Sequence, residues 1–286
     1  MQGGLLIGGY STLGETVESR PWHLSNLGVF MKIPFLSSLF LTAGALLTGG
    51  DKITQFATLD SLLAGVYDGH FSCADVLEAG NFGLGTFEAI DGEMLVIDGV
   101  IYQVLADGSV EQPNPETTRT PFAAVIDFEP EAERALENVE GLVALQELIL
   151  AHAGNPNLPY AIRVEGIFNT VKTRSPRRQD PPYPLLEEVV RTQAVFDGEN
   201  TRGVMVGFVL PQYMAGINAP GIHLHYLSDD HRLAGHVITF QLREGRVLID
   251  PAKELEMQLP AESSAFRDAV LGVDRSQEMK AVEAQR

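Results

Sequence analysis

The sequence is poor in cysteine, in basic residues and in long apolar runs, and each shortage removes a class of protein. Cys73 is the single cysteine, so neither an intramolecular disulfide framework nor a cysteine-paired structural zinc is available. Lys and Arg number 20 against 38 Asp and Glu, a formal net charge of −18. Such a surface repels a phosphate backbone, which argues against nucleic acid as a partner, and it disfavours anionic membranes for the same reason. An anionic substrate needs a local positive group to overcome that field. Neither an internal repeat nor a low-complexity tract occurs. What is left is an ordinary globular composition of 286 residues, 45% of them hydrophobic, enough for one large domain or two small ones.

Residues 31–45, MKIPFLSSLFLTAGA, have the layout of a secretory signal. Lys32 gives the positive start, Ile33 to Thr42 the short apolar run, and Ala43, Gly44 and Ala45 an A-x-A cleavage signature. The run is short for a transmembrane helix, which needs about 20 apolar residues. The expectation is a signal peptide at 31–45, translation from Met31, and residues 1–30 as an upstream extension with no folding role. The mature chain is then secreted or periplasmic and carries no membrane segment; the alternative is a cytoplasmic protein with an apolar N-terminal helix. A mature chain that still contained residues 1–30 would defeat the export reading.

From Asp51 the pattern becomes globular. Residues 58–65 predict a short helix with a Thr58 cap and a Gly65 stop, and residues 72–80 predict a second. Residues 93–97 and 100–105 predict two strands around Asp98-Gly99, the dipeptide preferred in type I′ hairpins. Residues 122–128 predict another strand. Residues 129–152 read as a helix, with Leu136, Val139, Val143, Leu145 and Leu148 as its apolar stripe. GNPNLP at 154–159 ends it, and strands are expected at 160–174, 202–210, 222–227 and 236–249. The fold class is therefore α+β (mixed α/β) and strand-rich, with a boundary near 154–160.

The richest stretch is 221–237, GIHLHYLSDDHRLAGHV, which holds four of the seven histidines. His223 and His225 share one face of a strand because side chains alternate with period 2. Ser228, Asp229 and Asp230 read as a turn, and a returning strand brings His236 beside the first pair. Three neutral imidazoles on one hairpin match a catalytic zinc site, which uses three protein ligands and leaves a fourth position open. The bland reading is a polar hairpin whose histidines bond locally. His231, in the turn, is expected to be solvated, although a longer turn would let it replace His236. A carboxylate as third ligand would favour iron instead.

At this point several motifs resemble one family. NFGLGTFEAIDGEM at 81–94 is similar to the FGxGTFxxLDGE segment of α-acetolactate decarboxylases. YAIR at 160–163, KTR at 172–174, RGVMVGF at 202–208 and the two histidine motifs resemble the same family in order and spacing. The resemblance runs from about Phe56 to about Leu259. It implies a lyase of acetoin biosynthesis that decarboxylates 2-acetolactate to acetoin and CO2 at a zinc ion. It also implies a homodimer and a two-domain fold. In this chain that means a mixed-sheet N-terminal domain at 51–156 and a β-rich metal-binding domain at 157–286. The family's ligands fall on His223, His225 and His236, its arginine on Arg174, its first glutamate on Glu93, its threonine on Thr86 and its second glutamate on Glu283.

The chemistry asks for these groups. 2-Acetolactate has a ketone β to its carboxylate, and losing CO2 leaves an electron pair that the ketone can take as an enediolate. A zinc ion would stabilise the new negative oxygen, an effect worth several kcal/mol, where each ~1.4 kcal/mol is tenfold in rate. Arg174 would hold the carboxylate bidentately. A glutamate would return a proton, Glu93 first and Glu283 second. Taken alone, Glu93 reads as a solvated turn residue, Arg174 as part of a basic loop and Thr86 as structural. Two other enzymes compete: a cupin-like metal-dependent oxygenase or isomerase, and a decarboxylase acting through a Schiff base on Lys172. A non-enzymatic module with a structural zinc is a third reading.

Overall fold

Asp98 and Gly99 show how directly local sequence sets this fold. Both take left-handed backbone, φ 52° and 76°, as a type I′ turn requires, and they pair Ile97 with Val100 and Glu93 with Val104 across the hairpin. The structure, a computed structural model, describes residues 51–283. The signal-like segment at 31–45 and the extension 1–30 lie outside the described residues.

The described chain opens with β1 (Lys52–Phe56), α1 (Leu59–Leu63), β2 (Phe71–Ser72), α2 (Cys73–Ala79) and β3 (Phe82–Thr86). The hairpin strands are β4 (Glu93–Ile97) and β5 (Val100–Val104), followed by β6 (Val110–Glu111), β7 (Arg119–Thr120) and β8 (Ala123–Ile126). Then come β9 (Ala132–Glu140), α3 (Gly141–Ala153), β10 (Tyr160–Ser175), α4 (Leu186–Val190) and β11 (Ala194–Leu210). β12 (Gly221–Ser228), β13 (Ala234–Pro251), β14 (Glu254–Gln258), α5 (Ser264–Asp268) and α6 (Ser276–Glu283) complete it. The two expected short helices form, the first with its expected Thr58 cap, the second with a cap not assigned from sequence. The Thr58 hydroxyl accepts from the Ser61 N–H, and Ser72 and Asp75 make a reciprocal capping box.

The class is strand-rich α+β, as expected. One sheet has seven strands in the order β14-β1-β8-β3-β4-β5-β6, antiparallel except for the parallel β1–β14 pair. A second has five, β10-β11-β12-β13-β9, and β10 also pairs with β13, so the ladder from β10 through β13 closes on itself; β2 and β7 pair as a separate two-stranded sheet. Each of the two larger sheets takes a strand from the opposite half of the chain, β9 in one and β14 in the other. Leu84, Leu95 and Ile126 of the seven-stranded sheet pack with Val206, Phe208 and Leu227 of the five-stranded one. Val76 of α2 covers Val96 and Val125, and Leu145 and Ile149 of α3 join Ile162 and Val247 in a further core. Residues of α1, α4 and α6 cluster with Tyr67, Ile90 and Phe122.

The helix expected over 129–152 is corrected. Residues 132–140 are a strand paired with β13, and the helix starts only at Gly141. Asn138 takes φ 51°, a kink that lets Leu136 before it and Val139 after it both turn inward although three residues apart. That spacing imitates a helical stripe. Within α3 the buried positions are Leu145 and Ile149, while Val143 is 73% exposed and Leu148 lies at the surface. The strand expected at 160–174 is observed at 160–175, while those at 194–210 and 234–251 run longer than their sequence signals.

Candidate active site

The register of three neighbouring strands assembles the site. Arg174 of β10 lies opposite His236 of β13, and His236 lies opposite His225 of β12. Directly opposed residues point to one face of a sheet, so these side chains meet. His223, two residues before His225, shares that face. The ring centroids of His223 and His236 are 4.7 Å apart, those of His223 and His225 5.2 Å, and those of His225 and His236 5.4 Å. Each ring offers a nitrogen, and the three lie within 4.8 Å of one another. Gly235 lets the strands approach: its φ is 126°, and a Cβ there would stand 2.4 Å from the Arg174 carbonyl oxygen.

Burial keeps all three imidazoles neutral. It pushes His223 down to about 3, with the Arg174 charge as a second cause. Burial, then neighbouring His223, holds His225 well below the ordinary histidine value. Burial, then Arg174, does the same to His236. His225 Nδ1 is 2.8 Å from the Met94 carbonyl, which can only accept, so Nδ1 carries the proton and Nε2 keeps its lone pair. Arg174 Nη2 donates to His236 Nε2 at 2.9 Å, and His223 Nε2 lies 3.1 Å from His236 Nδ1. His223 Nδ1 is buried with no hydrogen-bond partner among the described residues. A neutral donor set, oriented by a backbone carbonyl and holding an orphaned buried nitrogen, fits a metal cation such as zinc.

The other expected residues converge on the same place. Glu93 opens β4, and its side chain is 14% exposed, far from the solvated turn that local sequence suggests. Its Oε2 lies 3.5 Å from His225 Nε2. Thr86, the register partner of Glu93, donates its hydroxyl to the Gly92 carbonyl at 2.7 Å and so fixes the turn that presents Glu93. Arg174 is buried. Glu283 is the last residue of α6, and its side chain is outside the described residues; Val282 before it reaches the site. His231 stays out: it is exposed in the turn at φ 55°, its ring 5.3 Å from that of Tyr102. Lys172 also stays out. A register shift between Lys172 and Thr173 breaks the alternation with Arg174, and Lys172 pairs at 3.3 Å with Asp197 on a more open surface.

These groups line a narrow cavity that leaves about 60 Å3 for the centres of water-sized groups. One side is polar, with the histidines, Arg174, Glu93, Thr86 and Gln193; the other is apolar, with Leu59, Leu62, Ile90, Phe122, Leu186, Val190 and Val282. Sequence reasoning missed this apolar wall, Gln193 and the Met94 carbonyl. Ile90 and Met94 stood inside a quoted motif, and the helix residues carried no signal beyond being apolar.

Residues 53–273 match the family model described as alpha-acetolactate decarboxylase. The chain belongs to that family. It is 40% identical over 233 residues to the alpha-acetolactate decarboxylase of Methanosarcina mazei, covering 82% of this chain and 80% of that protein. It is 38% identical over 219 residues to the one from Klebsiella aerogenes, covering 77% and 84%. The fold matches the crystal structure of alpha-acetolactate decarboxylase from Bacillus subtilis strain 168 with a TM-score of 0.78 at 33% identity, over 82% of this chain and all of that one. The family match spans Glu93, Arg174 and the three histidines and ends before α6.

Proposed function

We propose that this chain decarboxylates 2-acetolactate to acetoin and CO2, using a zinc ion held by His223, His225 and His236. One observation carries the reading: in a chain of this family, three neutral imidazoles, two buried and one half-buried, share a small cavity with a buried guanidinium and a carboxylate.

The substrate's carboxylate is β to its ketone, so the electrons left by CO2 pass to the ketone oxygen as an enediolate. When bound, zinc would supply Lewis-acid stabilisation of that negative oxygen, worth several kcal/mol. Arg174 binds the carboxylate, and its planar fork donates to two oxygens at once. That grip turns the breaking bond toward the carbonyl π-system. It also supplies the local positive charge that a chain of net charge −18 needs to admit an anion. Glu93 gives its proton to the carbon that lost CO2, and because it comes from one side, one face of the enediolate is protonated. Glu283 is the second candidate donor. Thr86 acts through the Gly92 carbonyl to hold Glu93 in position. The apolar wall keeps bulk water from protonating the intermediate early.

The proposal includes a homodimer with two domains divided near 156, exported by residues 31–45. Mass spectrometry of secreted chain tests the export: a first residue just after Ala45 is expected. The activity test mixes purified protein with racemic acetolactate and follows CO2 and acetoin, with and without a chelator. Both products should form in equal amounts, and chelation should abolish them until zinc is restored. Glu93 beside His225 also favours a second reading, a three-histidine, one-glutamate iron or manganese centre. Metal analysis with dioxygen uptake separates the two.

A further inference from the structure

Ile90 occupies a costly backbone conformation at the wall of the cavity. Ala89 and Ile90 take φ 62° and 54° in succession, a region that branched side chains rarely enter. The surroundings enforce it. The Ala89 N–H donates to the Tyr67 carbonyl at 2.8 Å, the Gln179 N–H donates to the Ala89 carbonyl at 2.8 Å, and the Gly92 N–H donates to the Ile90 carbonyl at 2.9 Å. The Ile90 side chain is 2% exposed and lines the cavity with Leu62, Phe122, Leu186 and Val190.

We propose that Ile90 is a specificity-determining residue that limits the length of the alkyl substituent the site accepts; the inference rests on the decarboxylase reading above. Leu62, Leu186 and Val190 belong to helices of five residues each, which can yield by small shifts. Ile90 cannot. Its backbone is held by hydrogen bonds on both sides, and a β-branched side chain has few rotamers to change into. The same strained turn presents Glu93, so the distance from the reacting carbon to the wall is fixed along with the proton donor. A substrate carrying one more methylene than 2-acetolactate meets Ile90 before it meets anything that gives way.

The test compares kcat/KM for 2-acetolactate and its 2-ethyl homologue, 2-aceto-2-hydroxybutyrate, in wild type and in Ile90→Val, Ile90→Ala and Ile90→Gly. The ratio should move toward the longer acid by about tenfold in the Ala and Gly variants, the scale of one methylene in an apolar pocket, and by less in Val. Binding of unreactive 2-alkyl-2-hydroxy acids, followed by calorimetry, should shift in the same order. Ile90→Gly, which relieves the left-handed strain, should melt no lower than Ile90→Ala, the reverse of the usual order. Ile90→Val keeps most of the buried volume and covers the case in which the smaller variants fail to fold. Wild type active on 2-acetolactate with an unchanged ratio in the folded variants overturns the role of Ile90 alone. Wild type inactive on both acids overturns the decarboxylase reading, and this inference with it.

Discussion

Arg174 brings a buried positive charge to the cavity of a strongly acidic protein, and at the residue scale it is the group with the least freedom to change. A lysine keeps the charge but loses the planar fork and the second hydrogen bond. Arg174→Lys is therefore expected to lower kcat/KM by about 100-fold while the metal stays bound, as measured by steady-state kinetics and metal content. A fall of only about threefold would argue against a bidentate carboxylate clamp. Glu93→Gln keeps the shape and removes the transferable proton, so kcat should fall by roughly 100-fold to 10,000-fold. The sequence revealed these residues unequally. The histidines were legible because a strand period of 2 and one turn suffice to bring them together. Arg174 and Glu93 were legible only through the family motif, because each by itself looks like a surface residue beside a loop. Gln193 left no functional trace, and Ile90, though inside the family motif, carried no sign of its role: what recruits both is the approach of distant elements, which local pattern does not encode.

Among the elements, the starts of α1 and α2 were read correctly, where a side chain bonds its own backbone. Ser72→Ala breaks the capping box of α2 and should cost about 1 kcal/mol, seen as a lower midpoint in denaturant with unchanged slope. The segment at 132–140 was misread because a kinked edge strand presented apolar residues three apart, and nothing local marks such a kink except Asn138 itself. β11 was underestimated for a related reason: its first half, residues 194–201, is polar and largely exposed, and Asp197 there pairs with Lys172 across the sheet. Gly235 tests how far the site depends on strand contact. Gly235→Ala would press a methyl group on the Arg174 carbonyl and force φ 126° on a residue with a Cβ, so β10 and β13 must part. Loss of both stability and metal stoichiometry is expected, read by melting and by metal analysis. A variant that still binds one metal at full stability would show that Arg174 and His236 do not need that contact.

For the molecule as a whole, the joint between the two sheets was the least legible feature, since β9 and β14 each cross to the sheet of the other half. Asp250 sits at that joint. It lies near the end of β13, buried, and its Oδ2 accepts the Glu129 N–H at 2.8 Å from the connection that leads into β9. Burial pushes its carboxyl up from 3.8 to about 7, and nearby Glu131 and Asp51 push in the same direction. Lys253 pairs at 3.0 Å with both of those acids, so it answers their charge and not that of Asp250. Between pH 4 and pH 7 the folded state therefore holds a proton at Asp250 that the unfolded chain releases. The stability gained this way is fully present below about pH 4, declines as pH rises, and is lost above about pH 7. Asp250→Asn keeps an acceptor for the Glu129 N–H and removes the titration. Its stability relative to wild type should rise across that window, with a gain of about 1–2 kcal/mol at pH 8 and little difference at pH 4. Denaturant unfolding at several pH values checks this, and a difference that stays flat from pH 4 to pH 8 would mean that the joint holds Asp250 as an ordinary ionised carboxylate.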